Sequence, residues 1–334
     1  MRGSVRNFGN FVLPILAVCG TPAWAEDCKP LQLANTIQLE TVAGGRRILV
    51  PVRINGKPLQ LLLDTAGVTT QLSEATVKAL GLKEEASGFG LHDVLGNRSE
   101  GEVVIDNLDV GRLRDLNAHI HVAPNPNLDA DGFNGLFVPN FRGYDIDLDF
   151  GSSRLNLFFR DHCPGNVVYW QERPLAVVPA TLNEFDYHIA IPVTIDGRKF
   201  TGELDTGAPR SFMSADDARS AFDFEPGTPQ WPLIGSVNGS SVNEYGHQFA
   251  TLSFEGVTVT NPAIAVFEGR MGEPPVPWRH GERKPLVVIG MDVLKNLHIF
   301  VALGEGKLYV TRAGTGESPL LKMLPPVQPS APPH

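Results

Sequence analysis

Two short stretches of the sequence carry an aspartate and a threonine in a setting that could support acid–base chemistry. Residues 61–70 read LLLDTAGVTT and residues 203–212 read ELDTGAPRSF, with the aspartates at Asp64 and Asp205. Two carboxyl groups that are held close together cannot both ionise cheaply, so they share a proton. One can then act as a base and the other as an acid. The stretches differ in one respect, because Gly and Ala follow the threonine in opposite orders.

Both stretches belong to a longer internal repeat. VRINGKPLQLLLDT (52–65) aligns with VTIDGRKFTGELDT (193–206) without a gap, and the same constant offset extends to Ser73 and Ser214. Each copy predicts a hairpin, a buried strand that ends in Asp-Thr, and a helix whose N-cap is the serine. Asp-Thr-Gly is a common turn sequence, but two copies in the same context indicate a duplication.

A second pair of segments matches later in each half. Residues 136–158 align with residues 289–310 at a larger offset, which places Phe137 opposite Gly290. The larger offset predicts an insertion in the second half, in the Pro-rich stretch EGRMGEPPVPWRHGERKP. A phenylalanine in place of a glycine predicts crowding beneath the first Asp-Thr turn.

The composition favours a turn-rich β protein over a helical bundle. The chain has 34 glycines and 27 prolines, and only 19% of its residues are charged. Its 334 residues can bury one large core or two medium ones. The formal net charge of −9 argues against a nucleic-acid surface, so a small molecule or a protein is the expected partner.

The N-terminal segment 1–25 is predicted to be a cleaved secretory signal. Arg2 and Arg6 precede the short apolar run FVLPILAV, and the segment closes on Ala-Trp-Ala at 23–25. A lipoprotein signal ending at Cys19 is the alternative, although the valine before it is unfavourable. We therefore expect an exported protein, periplasmic or secreted, without a membrane span.

Export changes the expected chemistry of the cysteines. Once the signal is removed, Cys28 and Cys163 remain, and in an oxidising compartment they form a candidate disulfide. Two unpaired thiols are the alternative. Two isolated cysteines cannot build a structural zinc site by themselves.

Two further groups of polar residues alternate along strand-like segments. His119 and His121 share one strand face, but no third ligand is evident, so a solvated strand is expected. Asp145, Asp147 and Asp149 alternate in the same way and predict an exposed polar face in preference to a calcium site. The sequence predicts neither a metal nor a cofactor.

The two Asp-Thr stretches and the matching segments that follow them resemble those of the retropepsin-like aspartic proteases. The similarity covers most of residues 45–312. The second half carries the pattern in Leu204-Asp205-Thr206-Gly207-Ala208 and Val288-Ile289-Gly290-Met291-Asp292. The first half matches more loosely, in Leu63-Asp64-Thr65-Ala66-Gly67 and Leu136-Phe137-Val138-Pro139. The resemblance implies an all-β chain of two similar acid-protease-like β-barrel lobes, related by internal duplication, each with one short helix.

The duplication and the Pro and Gly residues between its halves predict the domain boundaries. They are a signal peptide at 1–25, an N-terminal lobe at 26–162, a linker at 163–180, a C-terminal lobe at 181–313, and a Pro-rich disordered tail at 314–334.

The resemblance also implies the site. Asp64 and Asp205 would meet at the cleft between the lobes and activate a water against a peptide bond. Five residues would support the active-site loops: Thr65, Ala66, Thr206, Gly207 and Ala208. A Gly-rich stretch at 233–248 is the stronger candidate for a flap. Its candidate residues are Gly235, Ser236 and Gly239.

Three functions are compatible with this sequence. The first is an aspartic endopeptidase acting on peptides or proteins, a monomer whose lobes are related by a pseudo-twofold axis. The second is a catalytically weak or inactive relative that binds peptides or a protein in the same cleft. In the third, two second halves form the site in a homodimer. Ala66 and Phe137 weigh against the first function, whereas Asp64 and Thr65 are retained.

Overall fold

The computed structural model describes residues 28–93, 95–125, 128, 132–139, 143–173, 175–182, 188–237, 240–268 and 286–314. Four expectations from the sequence lie outside the described residues, either wholly or nearly so. They are the signal peptide at 1–25, Gly239 of the candidate flap, the insertion in the Pro-rich stretch 268–285, of which only Glu268 is described, and the Pro-rich tail, of which only Gly314 is described.

The first lobe is an eight-stranded sheet in the order β2-β3-β4-β9-β5-β8-β7-β6. Strands and helices are numbered along the chain. The strands of this sheet are β2 (Glu40–Val42), β3 (Arg47–Ile54), β4 (Lys57–Leu63), β5 (Gln71–Leu72), β6 (Glu84–His92), β7 (Arg98–Val110), β8 (Leu113–Val122) and β9 (Gly135–Phe137). Its helix is α1 (Glu74–Leu80), and a 3-10 turn spans Ala43–Gly45.

The second lobe repeats this plan in a ten-stranded sheet. Its strands are β13 (Thr181–Leu182), β14 (Ile189–Ile195), β15 (Arg198–Leu204), β16 (Phe212–Ser214), β17 (Leu233–Ser236), β18 (Asn243–Gln248), β19 (Thr251–Phe254), β20 (Val257–Thr260), β21 (Ala263–Phe267) and β22 (Leu286–Ile289). It has two helices, α2 (Ala215–Phe222) and the four-residue α3 (Met291–Leu294), one more than expected. A second 3-10 turn spans Leu303–Glu305.

The repeated sequence produces the same local structures in both lobes. The turn between β3 and β4 is Asn55-Gly56 (φ 48° and 77°), and the turn between β14 and β15 is Asp196-Gly197 (φ 44° and 81°). Positive φ at both central residues suits the twist of a tight hairpin, and Asn-Gly and Asp-Gly adopt it readily.

Both helices predicted from the repeat begin at the expected serine. The hydroxyl of Ser73 accepts a hydrogen bond from the amide of Thr76, and the hydroxyl of Ser214 accepts one from the amide of Asp217. The longest helix has eight residues. Across the described part of the chain, no helix has the length and apolar character needed to cross a membrane.

A third sheet joins the lobes in the order β1-β11-β10-β23-β24-β12. Its strands are β1 (Leu33–Gln38), β10 (Tyr144–Asp149), β11 (Arg154–Phe159), β12 (Ala176–Pro179), β23 (Leu297–Ala302) and β24 (Lys307–Arg312). Each lobe contributes three strands, and β10 pairs with β23 at the centre. The order is therefore symmetric about a pseudo-twofold axis between those two strands. Strand β12 lies within the segment that the sequence assigns to the linker.

The prediction that the alternating aspartates form an exposed face is wrong. Asp145, Asp147 and Asp149 are only 1%, 0% and 4% exposed. The segment that follows β11 covers this face, and its His162 contacts Asp145 at 2.7 Å. His298 on β23 of the other lobe contacts Asp147, also at 2.7 Å. These carboxyl groups are therefore buried with hydrogen-bonding partners, as buried charged groups require.

A disulfide joins Cys28 to Cys163 across 135 residues of sequence. Next to it, the backbone amide of Lys29 donates to the carbonyl of Asp161, and the amide of Cys163 donates to the carbonyl of Lys29. The beginning of the first lobe is thereby fixed to the segment that leads into the second lobe. A crosslink over so long a loop restricts the unfolded chain strongly.

Candidate active site

Each Asp-Thr sequence directly follows a central strand of its lobe. Asp64 follows β4, and its amide donates to the carbonyl of Phe137 on β9 at 2.9 Å. Asp205 follows β15, and its amide donates to the carbonyl of Ile289 on β22 at 3.0 Å. Both flanking strands run parallel to their neighbours. The two aspartates therefore leave equivalent sheet positions in the same direction.

The two threonines connect the loops across the lobe boundary. The amide of Thr65 donates to the hydroxyl of Thr206, and the amide of Thr206 donates to the hydroxyl of Thr65, both at 3.1 Å. The Thr65 hydroxyl donates to the Leu204 carbonyl at 2.7 Å, and the Thr206 hydroxyl donates to the Leu63 carbonyl at 2.8 Å. We call these four reciprocal hydrogen bonds the threonine lattice. It holds the loops in a symmetric arrangement.

The carboxyl groups of Asp64 and Asp205 come together at this junction, since a β-carbon on Gly207 would lie 3.0 Å from an oxygen of Asp64 and 3.1 Å from an oxygen of Asp205. One oxygen of Asp64 accepts from the amide of Ala66 at 3.0 Å. The equivalent oxygen of Asp205 accepts from two amides, those of Gly207 at 2.7 Å and Ala208 at 3.1 Å. The structure thus brings together the residues that the sequence assigned to the two loops.

The environment favours a proton on this pair. Burial raises the pKa of Asp205 well above its ordinary value, and the neighbouring Asp64 and Glu203 carboxylates raise it further, against two backbone amides that lower it. Burial also raises the pKa of Asp64, although the Ala66 amide and the charge of His188 lower it. The state in which both carboxyl groups are ionised is therefore disfavoured, as expected for two adjacent carboxyl groups away from bulk water.

Contacts with the aspartates explain why residue 207 is glycine. A β-carbon there would lie 2.9 Å from the carboxyl carbon of Asp64 and 3.1 Å from an oxygen of Asp205. Ala66 occupies the equivalent position in the first loop. Its backbone is not in the left-handed region, so its methyl group causes no backbone strain.

The sheet register corrects the alignment of the two halves. Leu63 pairs with Phe137 as Leu204 pairs with Ile289. Phe137 therefore corresponds to Ile289, and the prediction that it replaces a glycine is wrong. One residue further on, Val138 corresponds to Gly290.

Hydrogen bonds confirm this register. The amide of Val138 donates to the hydroxyl of Thr70 at 3.2 Å, just as the amide of Gly290 donates to the hydroxyl of Ser211 at 3.1 Å. The offset that relates β9 to β22 is therefore one residue smaller than the offset that relates β10 and β11 to β23 and β24.

Val138 explains the exchanged order of Ala and Gly. A β-carbon on Gly67 would lie only 2.6 Å from a methyl group of Val138. In the second lobe, a β-carbon on Gly290 would lie 2.9 Å from the carbonyl oxygen of Ala208 and 2.5 Å from the backbone of Arg210. Each lobe thus has one glycine where the loop meets the adjacent strand. In the first lobe it is Gly67 on the loop, and in the second lobe it is Gly290 at the end of the strand.

Two family models match the chain. Residues 191–293 match the model described as "Aspartyl protease", and residues 50–132 match the model described as "gag-polyprotein putative aspartyl protease". Together these matches cover more than half of the sequence. The chain belongs to the retropepsin-like aspartic proteases. One match falls on each lobe of this retropepsin-like chain, and each contains one of the two aspartates. No curated protein matches the chain.

The candidate flap of this retropepsin-like chain is the hairpin of β17 and β18. Gly235 and Ser236 lie on β17, all four residues of which are exposed. Leu233 and Ile234 on the same strand are 58% and 48% exposed, which is high for aliphatic side chains. On β18, Glu244 contacts Arg210 at 3.4 Å and so links the hairpin to the loop that follows Asp205.

Arg47 also contributes to the site, although the sequence motifs did not indicate it. Its guanidinium donates to the carbonyl of Gly207 in the opposite lobe at 2.7 Å and lies 5.8 Å from the ring centre of Phe133. The offset that relates Asp64 to Asp205 also relates Arg47 to His188. That pair of basic side chains at equivalent positions was the only signal in the sequence.

Within the described ranges, no group of three or more His, Cys, Asp or Glu residues is arranged to hold a metal ion. His119 is exposed and contacts Glu102 at 2.8 Å. His121 lies 3.2 Å from the hydroxyl of Ser87 and 4.0 Å from Glu102.

Proposed function

We propose that the chain is an aspartic endopeptidase that hydrolyses peptide bonds with a water activated by Asp64 and Asp205 in a cleft between the lobes. One observation carries this proposal. Two carboxyl groups, one from each lobe, lie at equivalent strand ends on either side of Gly207, whose β-carbon would be 3.0 Å from an oxygen of Asp64 and 3.1 Å from an oxygen of Asp205, in a chain of the aspartic protease family. The same chain supplies both carboxyl groups.

The mechanism follows from the single proton that such a pair retains. Burial raises the pKa of both carboxyl groups, so the pair holds one shared proton and one negative charge. A bound water gives a proton to the ionised carboxylate as its oxygen attacks the peptide carbonyl carbon, while the protonated carboxyl group gives its proton to the carbonyl oxygen. The C–N bond of the tetrahedral intermediate then breaks as the carboxyl group that took the proton from water passes it to the amine nitrogen, and the other carboxylate takes a proton back from a hydroxyl group of the intermediate. No covalent enzyme adduct forms.

The proposal includes an exported location, periplasmic or secreted. The disulfide between Cys28 and Cys163 supports it, because such bonds persist in oxidising compartments. The substrate is a peptide or protein.

Two substitutions test the proposed chemistry. The purified protein is assayed on a denatured protein and on a peptide library from acidic to neutral pH, beside Asp64→Asn and Asp205→Asn. We expect kcat/KM to fall about a hundred- to ten-thousandfold in each variant, because each removes one half of the acid–base pair. Asp115→Asn, at an exposed position of β8, is the matched control and should retain activity.

Other outcomes would point to the other functions. A loss confined to Asp205→Asn would favour a homodimer of second lobes. An absence of cleavage in the wild-type protein, together with peptide binding that Asp64→Asn retains, would indicate a binding module.

A further inference from the structure

A buried ion pair lies beside Asp205 in the second lobe only. Glu203 stands two residues before Asp205 at the end of β15, so that both side chains project from the same face of the chain. His188 contacts Glu203 at 2.7 Å. The two residues are 6% and 8% exposed. Burying two charged groups costs free energy that their mutual attraction repays only when the geometry is good.

The first lobe has no such pair at the equivalent positions. Glu203 pairs with Ala190 in the sheet as Leu62 pairs with Leu49, so Leu62 is the counterpart of Glu203. Leu62 packs in a small apolar cluster that also contains Phe133. The pseudo-twofold symmetry of the site is therefore broken at this position.

The position of His188, the partner of Glu203, is also occupied by a different residue in the first lobe. His188 is the counterpart of Arg47, and Arg47 reaches across the lobe boundary to the carbonyl of Gly207. The charge of His188 lowers the pKa of Asp64 in the first lobe.

We infer that Glu203 and His188 are positioning residues that control the protonation of the aspartate pair. Glu203 contacts His188 at 2.7 Å and carries a negative charge two residues before Asp205. Its carboxylate raises the pKa of Asp205 and of Asp64, whereas the charge of His188 lowers the pKa of Asp64. Glu203 belongs to β15 and His188 to the segment before β14.

The inference predicts opposite effects for two neutral substitutions. Glu203→Gln removes a negative charge and should shift the titration of the pair to lower pH. His188→Gln removes a positive charge and should shift the titration of Asp64 to higher pH. General damage to the site would not shift the two titrations in opposite directions. His188→Lys keeps a positive charge and should restore a titration close to that of the wild type.

The titrations are measured directly by carboxyl-carbon NMR on protein labelled with ¹³C-aspartate. The two signals are assigned by their absence in Asp64→Asn and Asp205→Asn. Glu225→Gln removes the same charge from an exposed position and is the matched control. Unshifted signals in both variants, or shifts in the same direction, would overturn the inference.

Activity provides a second readout, which rests on the proposed function. In Glu203→Gln, the pH profile of kcat/KM should shift to lower pH, and in His188→Gln its acid limb should shift to higher pH. The NMR titration needs no hydrolysis. Opposite shifts in a protein that cleaves nothing would therefore support the inference while refuting the proposed function.

Discussion

Gly67 and Val138 meet in the first lobe where Ala208 and Gly290 meet in the second. The bulkier residue lies on the strand in one lobe and on the loop in the other. The space between loop and strand is filled in both cases. The order of the two letters after Asp-Thr therefore does not indicate a damaged site when the facing residue has changed as well.

The contact leads to a prediction for Gly67→Ala. The new methyl group would lie within 2.6 Å of Val138 and 2.9 Å of the Asp64 carboxylate. We expect a loss of about 1–3 kcal/mol in the free energy of unfolding, measured by chemical denaturation, because a close-packed site must shift to admit it. The proposed activity should fall as well, since Asp64 would be displaced.

A second substitution and a control sharpen this test. Gly67→Ala combined with Val138→Gly rebuilds the arrangement of the second lobe and should recover most of the stability. Gly304→Ala adds a methyl group where no atom lies within 4 Å and should have little effect. The explanation would be wrong if Gly67→Ala were as harmless as Gly304→Ala.

At the scale of elements, the threonine lattice is the direct link between the two active-site loops. Thr65→Val and Thr206→Val keep the shape of the side chain but remove its hydroxyl, which leaves a buried carbonyl and a buried amide without their partner. We expect each substitution to lower the free energy of unfolding by about 1–3 kcal/mol and to reduce kcat/KM.

The double variant tests whether the lattice acts as a unit. Its cost should be smaller than the sum of the two single costs, because one lost hydroxyl already releases the loops that the other connects. Thr258→Val, at an exposed position of β20, is the matched control. Strictly additive costs with unchanged activity would contradict a role in holding the loops.

The elements that the sequence predicted well are those whose signals are local. The constant offset of the repeat, the hairpin turns and the N-caps Ser73 and Ser214 depend on neighbouring residues, and all of them occur in the structure. The alternation of Asp145, Asp147 and Asp149 with apolar residues predicted a solvated face. It is covered by a segment after β11 and by a strand of the other lobe, and strand periodicity cannot reveal either cover.

The candidate site could also be predicted from the sequence only where its signals are local. Both Asp-Thr sequences could be found from the repeat, but the matching of β9 with β22 was wrong by one residue. A shift of one residue in a short strand leaves the apolar pattern almost unchanged, while it changes which residue faces the loop. Arg47 was missed because its contact crosses to the other lobe. His188 and Glu203 were missed because they meet only where the two ends of the β14–β15 hairpin come together.

At the scale of the molecule, the interlobe sheet contains a buried histidine that makes stability depend on pH. Burial lowers the pKa of His298, but the carboxylates of Asp147 and Asp149 outweigh this effect, so its pKa lies above the ordinary value of 6.5. The stabilisation by the charged histidine is complete below that ordinary value and disappears as the pH rises through the raised pKa. Each unit of such a shift corresponds to about 1.4 kcal/mol.

His298→Gln should therefore remove one component of the pH dependence. We expect its free energy of unfolding to be lower than that of the wild type by about 3–5 kcal/mol at mildly acidic pH, because Asp147 loses a buried charged partner. The difference should shrink as the pH rises above the raised pKa of His298. Chemical denaturation over a pH series measures it, with the exposed His92→Gln as control. A difference independent of pH would show that the pKa of His298 is the same in the folded and unfolded states, and a difference that grows with rising pH would show that folding lowers it.

The ion pair beside Asp205 also bears on the history of the duplication. A dimer of two second lobes would place two copies of Glu203 and two of Asp205 around one centre, whereas the single chain places three carboxyl groups there, because Leu62 stands in the first lobe. Such a dimer would also have a second copy of His188 in place of the permanently charged Arg47. The two halves have become complementary to each other and no longer to themselves. With Leu62 in one lobe and Glu203 in the other, two copies of either half would not reproduce this centre.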